Sequence, residues 1–378
     1  MSDLTVREIT TARDRDRFLR LPHRLYRDDP HWISPLLIEQ RQRLDRHKNP
    51  YFQHADAALF VAERDGQVVG TISAQVCQIA RRRHGEPTGH FGYFESQNDD
   101  AIAGRLIDAA KTWLTGRGAS MMVGPLNLSI NDEAGILVDG FDTPPYVFMG
   151  HHHRYYDALL QCNGMQPVMD MHAYYMDLRE PYPDRMRRII DRTRRDPAIT
   201  IENIPRKNMV TQLGPVLQLF NDAWDDNWGH VPLTPAEVDH LVRSVTQLLD
   251  DDSVIVAKID GRVAGFIVVI PNLCQWTGDL GGRLWPTGWI KLLSRMRFAT
   301  ARSIRVPLMG VRKDLQTSRA GATVAMSMID HCKTRYRDRG VHTAELSWIL
   351  QTNTPMRSIL DGLGATSGKV YRMYDQRW

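Results

Sequence analysis

Cysteine is sparse in this 378-residue chain: four residues, Cys77, Cys162, Cys274 and Cys332, stand far apart with no C-x-x-C spacing. Neither a disulfide framework nor a zinc site is indicated. No run of about 18 apolar residues exists to span a bilayer, and the first residues have no apolar signal core. The expected location is the cytoplasm, with a peripheral association on the inner membrane left open. An excess of one charge is also missing, since 48 Lys and Arg against 44 Asp and Glu leave only +4. The arginines are dispersed and no aromatic-basic motif occurs, which argues against nucleic acid as a partner. What remains, 42% hydrophobic and 24% charged, is a globular composition, and the length suffices for two cores.

The chain carries an internal repeat. Val61-Ala-Glu-Arg-Asp-Gly-Gln-Val-Val-Gly70 and Val256-Ala-Lys-Ile-Asp-Gly-Arg-Val-Ala-Gly265 share Val-Ala, Asp-Gly, Val and Gly at identical spacing. Each reads as a hairpin turning on Asp-Gly. Upstream by a similar distance, residues 4–9 and 199–204 alternate apolar and polar as half-buried strands do. Downstream, Leu159-Leu-Gln-Cys-Asn-Gly164 and Ile359-Leu-Asp-Gly-Leu-Gly364 each read as a helix end with glycine past it. Each unit runs strand, one or two helices, hairpin, strand, helix, strand, helix, strand. The expected halves are 1–178 and 198–378, closing on strands near 168–178 and 369–375, with a charged, partly helical connector at 179–197.

One junction carries chemistry. An apolar run from Val306 to Val311 breaks into a polar loop and then a helix, where Val324, Met328 and Cys332 recur at helical spacing. A loop followed by a first helical turn exposes N–H groups that attract an anion, typically a phosphate. Small residues at Ala320, Gly321 and Ala322, followed by Thr323, would admit it closely. The stretch resembles the pyrophosphate loop of GNAT acyltransferases, Q/R-x-x-G-x-G/A after a strand, with Gln316 and Gly321 on its first and last positions. Arg319 replaces the first glycine. The resemblance implies an α/β fold of two tandem GNAT-like domains, each a mixed, twisted central sheet flanked by helices, with acyl-CoA as substrate. It implies that the thioester lies where two strands splay, beside Leu308, Met309, Gly310 and Val311, and that Asn353 is a pantetheine contact. Its alternative role is a helix N-cap. Leu360 stands where many relatives carry a tyrosine acid, so Tyr371 and Tyr374 come into question. In the first half Asp99 and Asp100 would repel phosphate, which makes that half a scaffold or acceptor domain.

Acyl transfer to an amine needs a donor to the carbonyl oxygen, an unprotonated amine and exclusion of water. Candidates for the base are Asp132 and Glu133, with Asn127 and Asn131 as orienting groups; Glu95, Glu345 and His230 are rivals. The run His151-His-His-Arg154 lacks carboxylates or cysteines at ligand spacing, so no metal is expected. An insert at 272–300 carries Trp289, Ile290, Leu292, Leu293 and Met296 at helical spacing, downstream of Trp276 and Trp285. It reads as a lid or as an interfacial segment over 285–298, and it suits a fatty acyl chain. Residues 25–32, 127–145 and 344–357 together look like a bacterial group of tandem GNAT-like proteins that includes ceramide synthases. What this implies is transfer of a long-chain acyl group from acyl-CoA to a sphingoid base, 3-ketosphinganine or sphinganine. An N-acetyltransferase of a small amine or peptide, and a non-catalytic acyl-CoA or lipid binder, are the alternatives.

Overall fold

The computed structural model describes residues 3–246 and 248–378. Gln247, at the end of the predicted helix 235–250, lies outside them. Two compact units are formed: Met1–Asp170 with Thr277–Leu292 and Lys369–Trp378, and Met171–Trp276 with Leu293–Gly368.

In the first unit the chain runs β1 (Leu4–Glu8), α1 (Ala12–Leu25), α2 (Leu37–Arg43), β2 (Ala55–Arg64), β3 (Gln67–Cys77), α3 (Gln78–His84), β4 (Thr88–Ser96), α4 (Asp100–Thr115), β5 (Met121–Gly124), β6 (Ile136–Asp139), α5 (Tyr156–Cys162) and the start of β7 (Gln166–Asp177). The sheet order β1-β2-β3-β4-β5 is antiparallel until β4 meets β5 in parallel. The β2–β3 hairpin turns on Asp65-Gly66, both at positive φ, as this turn requires. Helix α4 lays Ile102, Leu106, Ile107, Ala110 and Leu114 into the core at helical spacing, and Asp99 caps its N-terminus.

The second unit repeats this plan with α6 (Asp184–Thr193), β8 (Ile199–Asn203), α7 (Arg206–Ala223), α8 (Pro235–Val245), β9 (Val254–Ile259), β10 (Arg262–Pro271), α9 (Cys274–Thr277), the end of α10 (Gly288–Phe298), whose first five residues belong to the first unit, β11 (Ser303–Val311), α11 (Arg319–Asp338), β12 (Thr343–Leu350), α12 (Thr354–Gly362) and the start of β13 (Thr366–Arg377). Again β9 and β10 turn on Asp260-Gly261 at positive φ, and again the one parallel pair, β11 with β12, follows three antiparallel ones. The expected connector at 179–197 is packed into this unit: Ile190 is buried, and Arg194 pairs with Asp330 of α11 at 2.8 Å.

The compact units do not follow the division expected at 178 and 198. β12 pairs with residues 171–177 of β7, so the second unit is closed by the strand that ends the first half of the sequence. β5 and β6 pair with the last residues of β13, so the first unit is closed by the end of the chain. Within the first unit, buried Lys369 donates to the Gly140 and Thr143 carbonyls, Tyr371 to Gly150, and Tyr374 to Asp157. Which of two similar strands closes a sheet is decided by non-local pairing that strand alternation does not encode.

Deleting residues 369–378 removes buried Tyr371, Met373 and Tyr374 together. At about 3–5 kcal/mol for each large buried side chain, the loss matches the whole stability of a typical domain. The expected outcome is a first unit without fast-exchange protection over 89–124 in hydrogen-exchange mass spectrometry. Protection unchanged from the full chain contradicts the exchange of strands.

Candidate active site

In the second unit the parallel ladder between β11 and β12 runs from Ser303 opposite Thr343 to Val306 opposite Leu346 and ends there among the described residues. Beyond it Leu308–Val311 stay paired only with Val268–Gly265 of β10. The Met309 carbonyl accepts from Trp224 Nε1 (3.3 Å) and the Val311 carbonyl from Gln316 Nε2 (3.0 Å). A strand residue's N–H and C=O face the same edge, so the Met309 and Val311 N–H groups lie on the side away from β10. Gly310 serves packing: a Cβ there would stand 2.6 Å from the Phe266 ring.

The loop that follows is braced by Gln316, whose Nε2 also reaches the Ala223 carbonyl, and α11 is capped by Ser318, which accepts from Gly321 N–H. Gly321 is buried, and a Cβ on it would sit 2.1 Å from the Leu315 carbonyl oxygen. Its smallness holds loop to helix, a different use from the close anion approach expected for it. The N–H groups of Arg319 and Ala320 have no partner among the described residues. Ala322 N–H already closes on Ser318, and the Thr323 hydroxyl bonds back to Arg319. Arg312 is tied to Asp314, and Lys313 to Asp226 and Asp225; exposed Arg319 has no ion pair among the described residues. Free first-turn donors with an unpaired guanidinium fit a polyphosphate. Asn353 caps α12 by accepting from Met356 N–H.

The first unit has the same strand parting and closes it. Its parallel ladder ends at His90 opposite Val123. Past that point Leu126 N–H bonds to the Phe91 carbonyl (2.7 Å), and Asn127 Oδ1 accepts from Tyr93 N–H (2.7 Å). A Cβ on Gly92 would lie 1.8 Å from the Leu126 carbonyl oxygen, so the loop is wedged into the gap. Asp99 takes up the first-turn donors of α4 and pairs with Arg64.

What the first unit has instead is a cleft lined by α1, residues 32–37, β4 and the 125–152 stretch. Glu95, Glu133, Asn127, Tyr93, His151 and His152 line it. Glu95 Oε2 accepts from Tyr156 (2.6 Å) and Tyr26 (3.0 Å), while Oε1 has no partner among the described residues. Burial raises the Glu95 carboxyl to about 8, outweighing the two hydroxyls that favour its charged form. Burial likewise raises Glu133, which accepts from Asn127 Nδ2 at 2.9 Å and stands 4.0 Å from Arg43. Burial lowers His151 and takes His152 down to about 3, so both rings are neutral at pH 7.

Three further candidates fall elsewhere. Asp132 turns back on its own loop, accepting from the Ser129 N–H and hydroxyl, and Asn131 N–H is held by Ser129 as well. Glu345, in the second unit, is fully buried, takes the Tyr175 and Ser347 hydroxyls, and faces Arg305 at 3.6 Å. His230, also in the second unit, is buried against Phe220. Tyr371 and Tyr374 bond within the first unit, and Leu360 is core. The triple histidine is occupied locally: His151 pairs with Asp29, His152 accepts from Leu137 N–H, and His153 stacks on Tyr26. The tyrosine pair around Glu95 was not read from the sequence, because Tyr26 and Tyr156 are 69 and 61 residues away.

No protein-family model matches the chain. It is 38% identical to the bacterial ceramide synthase of Caulobacter vibrioides over 376 residues, covering 99% of this chain and 98% of that one. It is 37% identical to Protein YghO of Escherichia coli over 373 residues, covering 98% and 95%. Among solved structures, a tandem GNAT protein from the clavulanic acid biosynthesis pathway superposes with a TM-score of 0.57 at 12% identity over 99% of this chain and 98% of that one. A GCN5-related glucosamine N-acetyltransferase region of a fungal multi-domain β-N-acetylglucosaminidase does so at 0.59 and 15%, over 99% of this chain and 38% of that one. At such identities these two likenesses speak for the fold alone: two GNAT-like units in tandem.

Two outcomes are expected. Arg319→Glu weakens acyl-CoA binding about tenfold and leaves the melting temperature unchanged; equal affinity by calorimetry removes the loop from the site. Glu95 binds a proton in the folded state up to about pH 8 but only up to its ordinary 4.5 when unfolded. The folded state thus holds more protons across that window, and stability falls as pH rises through it. Glu95→Gln flattens this fall, measured as denaturant midpoints at pH 5 and pH 8; parallel profiles for both proteins place the group in water.

Proposed function

The chain belongs to the family of the bacterial ceramide synthase, and on that premise we propose that it moves a long-chain fatty acyl group from acyl-CoA to the amine of a sphingoid base, 3-ketosphinganine or sphinganine. The observation that carries the donor side is the strand parting after Val306 and Leu346, left open in the second unit beside the first turn of α11. Arg319 and the Arg319 and Ala320 N–H groups would hold the phosphates, and the Met309 and Val311 N–H groups would be available to the pantetheine or to the carbonyl oxygen. Acyl-CoA supplies an activated carbonyl whose sulfur leaves without a strong acid, which suits a site where Leu360 occupies the tyrosine position.

The long-chain and lipid part of the reading is supported by α10. Trp285, just ahead of this helix, and Phe298 are each 81% exposed, and Trp289, Ile290 and Leu293 are exposed as well, while Leu292 and Met296 are half-buried. Lys291, Arg295 and Arg297 lie on the same helix. A short basic helix with exposed tryptophan and phenylalanine suits an interfacial contact with anionic lipid. No helix among the described residues is long and apolar enough to cross a membrane.

Incubating the purified protein with acetyl-CoA, palmitoyl-CoA and sphinganine should yield N-palmitoyl product by mass spectrometry. Free CoA released from acetyl-CoA alone would point to a small-amine acetyltransferase, and binding without release to a non-catalytic protein. For the helix, Trp285→Ser with Phe298→Ser should cut co-sedimentation with phosphatidylglycerol vesicles about tenfold. Undiminished sedimentation refutes the lipid contact.

A further inference from the structure

The cleft of the first unit has a chemistry of its own. Its walls are apolar, with Phe18, Leu19, Trp32, Ile33, Leu37 and Met149. Its polar end sets two carboxylates, Glu95 and Glu133, among histidines that burial holds neutral, His23, His151 and His152. Arg43, whose closer partner is Glu39 at 2.7 Å, only touches the Glu133 side at 4.0 Å. Two carboxylates against half a guanidinium favour a cationic guest, and burial makes each carboxylate gain from one. Two buried polar atoms at this end have no partner among the described residues: the Tyr93 hydroxyl and Nδ1 of His151, a residue only 6% exposed. With His151 Nε2 held by Asp29 at 2.9 Å, Nδ1 is left as an acceptor for a guest hydroxyl.

The cleft also adjoins the exposed insert. Leu37 N–H bonds to the Gly282 carbonyl at 3.0 Å, and a Cβ on Gly282 would stand 2.5 Å from the Pro35 carbonyl oxygen and 2.8 Å from the His23 ring. Gly282 therefore anchors the segment bearing Trp285 and Trp289 against cleft-lining residues.

We propose that this cleft is the acceptor pocket, that it takes a long-chain amino alcohol with its ammonium between Glu95 and Glu133, and that Glu95 Oε1 removes the ammonium proton. The inference rests on the N-acyltransferase reading above. Binding of the ammonium drives the proton that burial kept on Glu95 out to solvent; one N–H bond of the guest then breaks, its proton goes to the Glu95 carboxylate, and nitrogen keeps the electron pair that makes it a nucleophile. The C–N bond forms, the C–S bond breaks, sulfur leaves with its pair as the CoA thiolate, and Glu95 returns the proton to solvent. Tyr26 and Tyr156 are positioning residues: by saturating Oε2 they leave Oε1 as the free lone-pair site. Asn127 is another, since it joins Tyr93 N–H to the Glu133 carboxylate.

Binding is measured on the full chain without acyl-CoA, with sphinganine, dodecylamine and dodecanol as probes, by tryptophan fluorescence and calorimetry; turnover is measured separately with palmitoyl-CoA and sphinganine. Sphinganine and dodecylamine should bind, and dodecanol at least tenfold more weakly. Glu95→Gln and Glu133→Gln should each cost tenfold or more in amine affinity, and Glu95→Gln should reduce kcat at least a hundredfold. Tyr156→Phe should shift the pH profile of kcat with little change in KM. Met149→Trp, which fills the cleft from its apolar wall, should abolish binding of both amines while circular dichroism is unchanged. Equal binding of dodecanol and dodecylamine, or wild-type turnover by Glu95→Gln, overturns the pocket while leaving the acyltransferase reading intact. Amine binding that depends on Glu95, with no N-acyl product from any acyl-CoA, upholds the pocket and sinks that reading instead.

Discussion

Two parallel strands that stop pairing partway along leave backbone donors and acceptors without partners, and a folded chain must account for each of them. Both units contain this break, after His90 and Val123 in one and after Val306 and Leu346 in the other. The first unit satisfies it from within, using Asn127 and the Leu126 backbone. The second leaves the Met309 and Val311 edge to whatever docks there, with only Trp224 and Gln316 among the described residues reaching its carbonyls. One fold used twice thus yields one unit prepared for a ligand at its strand edge and one whose edge is spent. The spent edge is what frees the first unit for another use: the wedge that closes it also delivers Asn127 and Glu133 to the cleft.

The electrostatics of the two units follow the same division. At the start of α11 the uncommitted groups are N–H donors and the Arg319 guanidinium; in the cleft they are carboxylates with neutral imidazoles around them. Oppositely charged guests are sorted by these fields before any shape is compared. A polyphosphate gains nothing beside Glu95 and Glu133, and an ammonium gains nothing beside Arg319. The mild net charge of +4 conceals this separation, which is why composition alone favoured no partner.

What the sequence revealed was local. The Asp-Gly hairpins declare themselves because a two-residue turn at positive φ admits few residue types, and the repeat followed from finding that signal twice. The strand–loop–helix junction was legible from its apolar run, Val306 to Val311, and from Val324, Met328 and Cys332 at helical spacing. The exchange of final strands was not, since residues 166–177 and 366–377 alternate alike and alternation names no partner. Glu95 ranked below Asp132 because a loop dense in carboxylates looks like chemistry. Yet Asp132 serves its own turn, and it is the isolated carboxyl at the end of an apolar strand that ends up held by Tyr26 and Tyr156. Gly321, expected to admit an anion, stands in the first turn of α11, where its smallness serves a different physical need, the 2.1 Å approach of the Leu315 oxygen to the place a Cβ would take.

The insert explains why one unit draws on three separated stretches of chain. Residues 277–292 contribute no strand, but Gly282 fixes them to Pro35, Leu37 and His23, which line the cleft. Apolar side chains held out in water cost free energy, roughly 25 cal/mol for each Å² left uncovered, and Trp285 and Phe298 are left almost wholly so. Such a cost is retained when something covers the face in use. For a reaction whose acceptor and product are both lipids, a covering surface that is itself lipid shortens the path an alkyl chain must travel through water. On the acceptor-pocket proposal, the anchoring glycine sets the segment bearing Trp285 and Trp289 beside residues that line the way to the carboxylates.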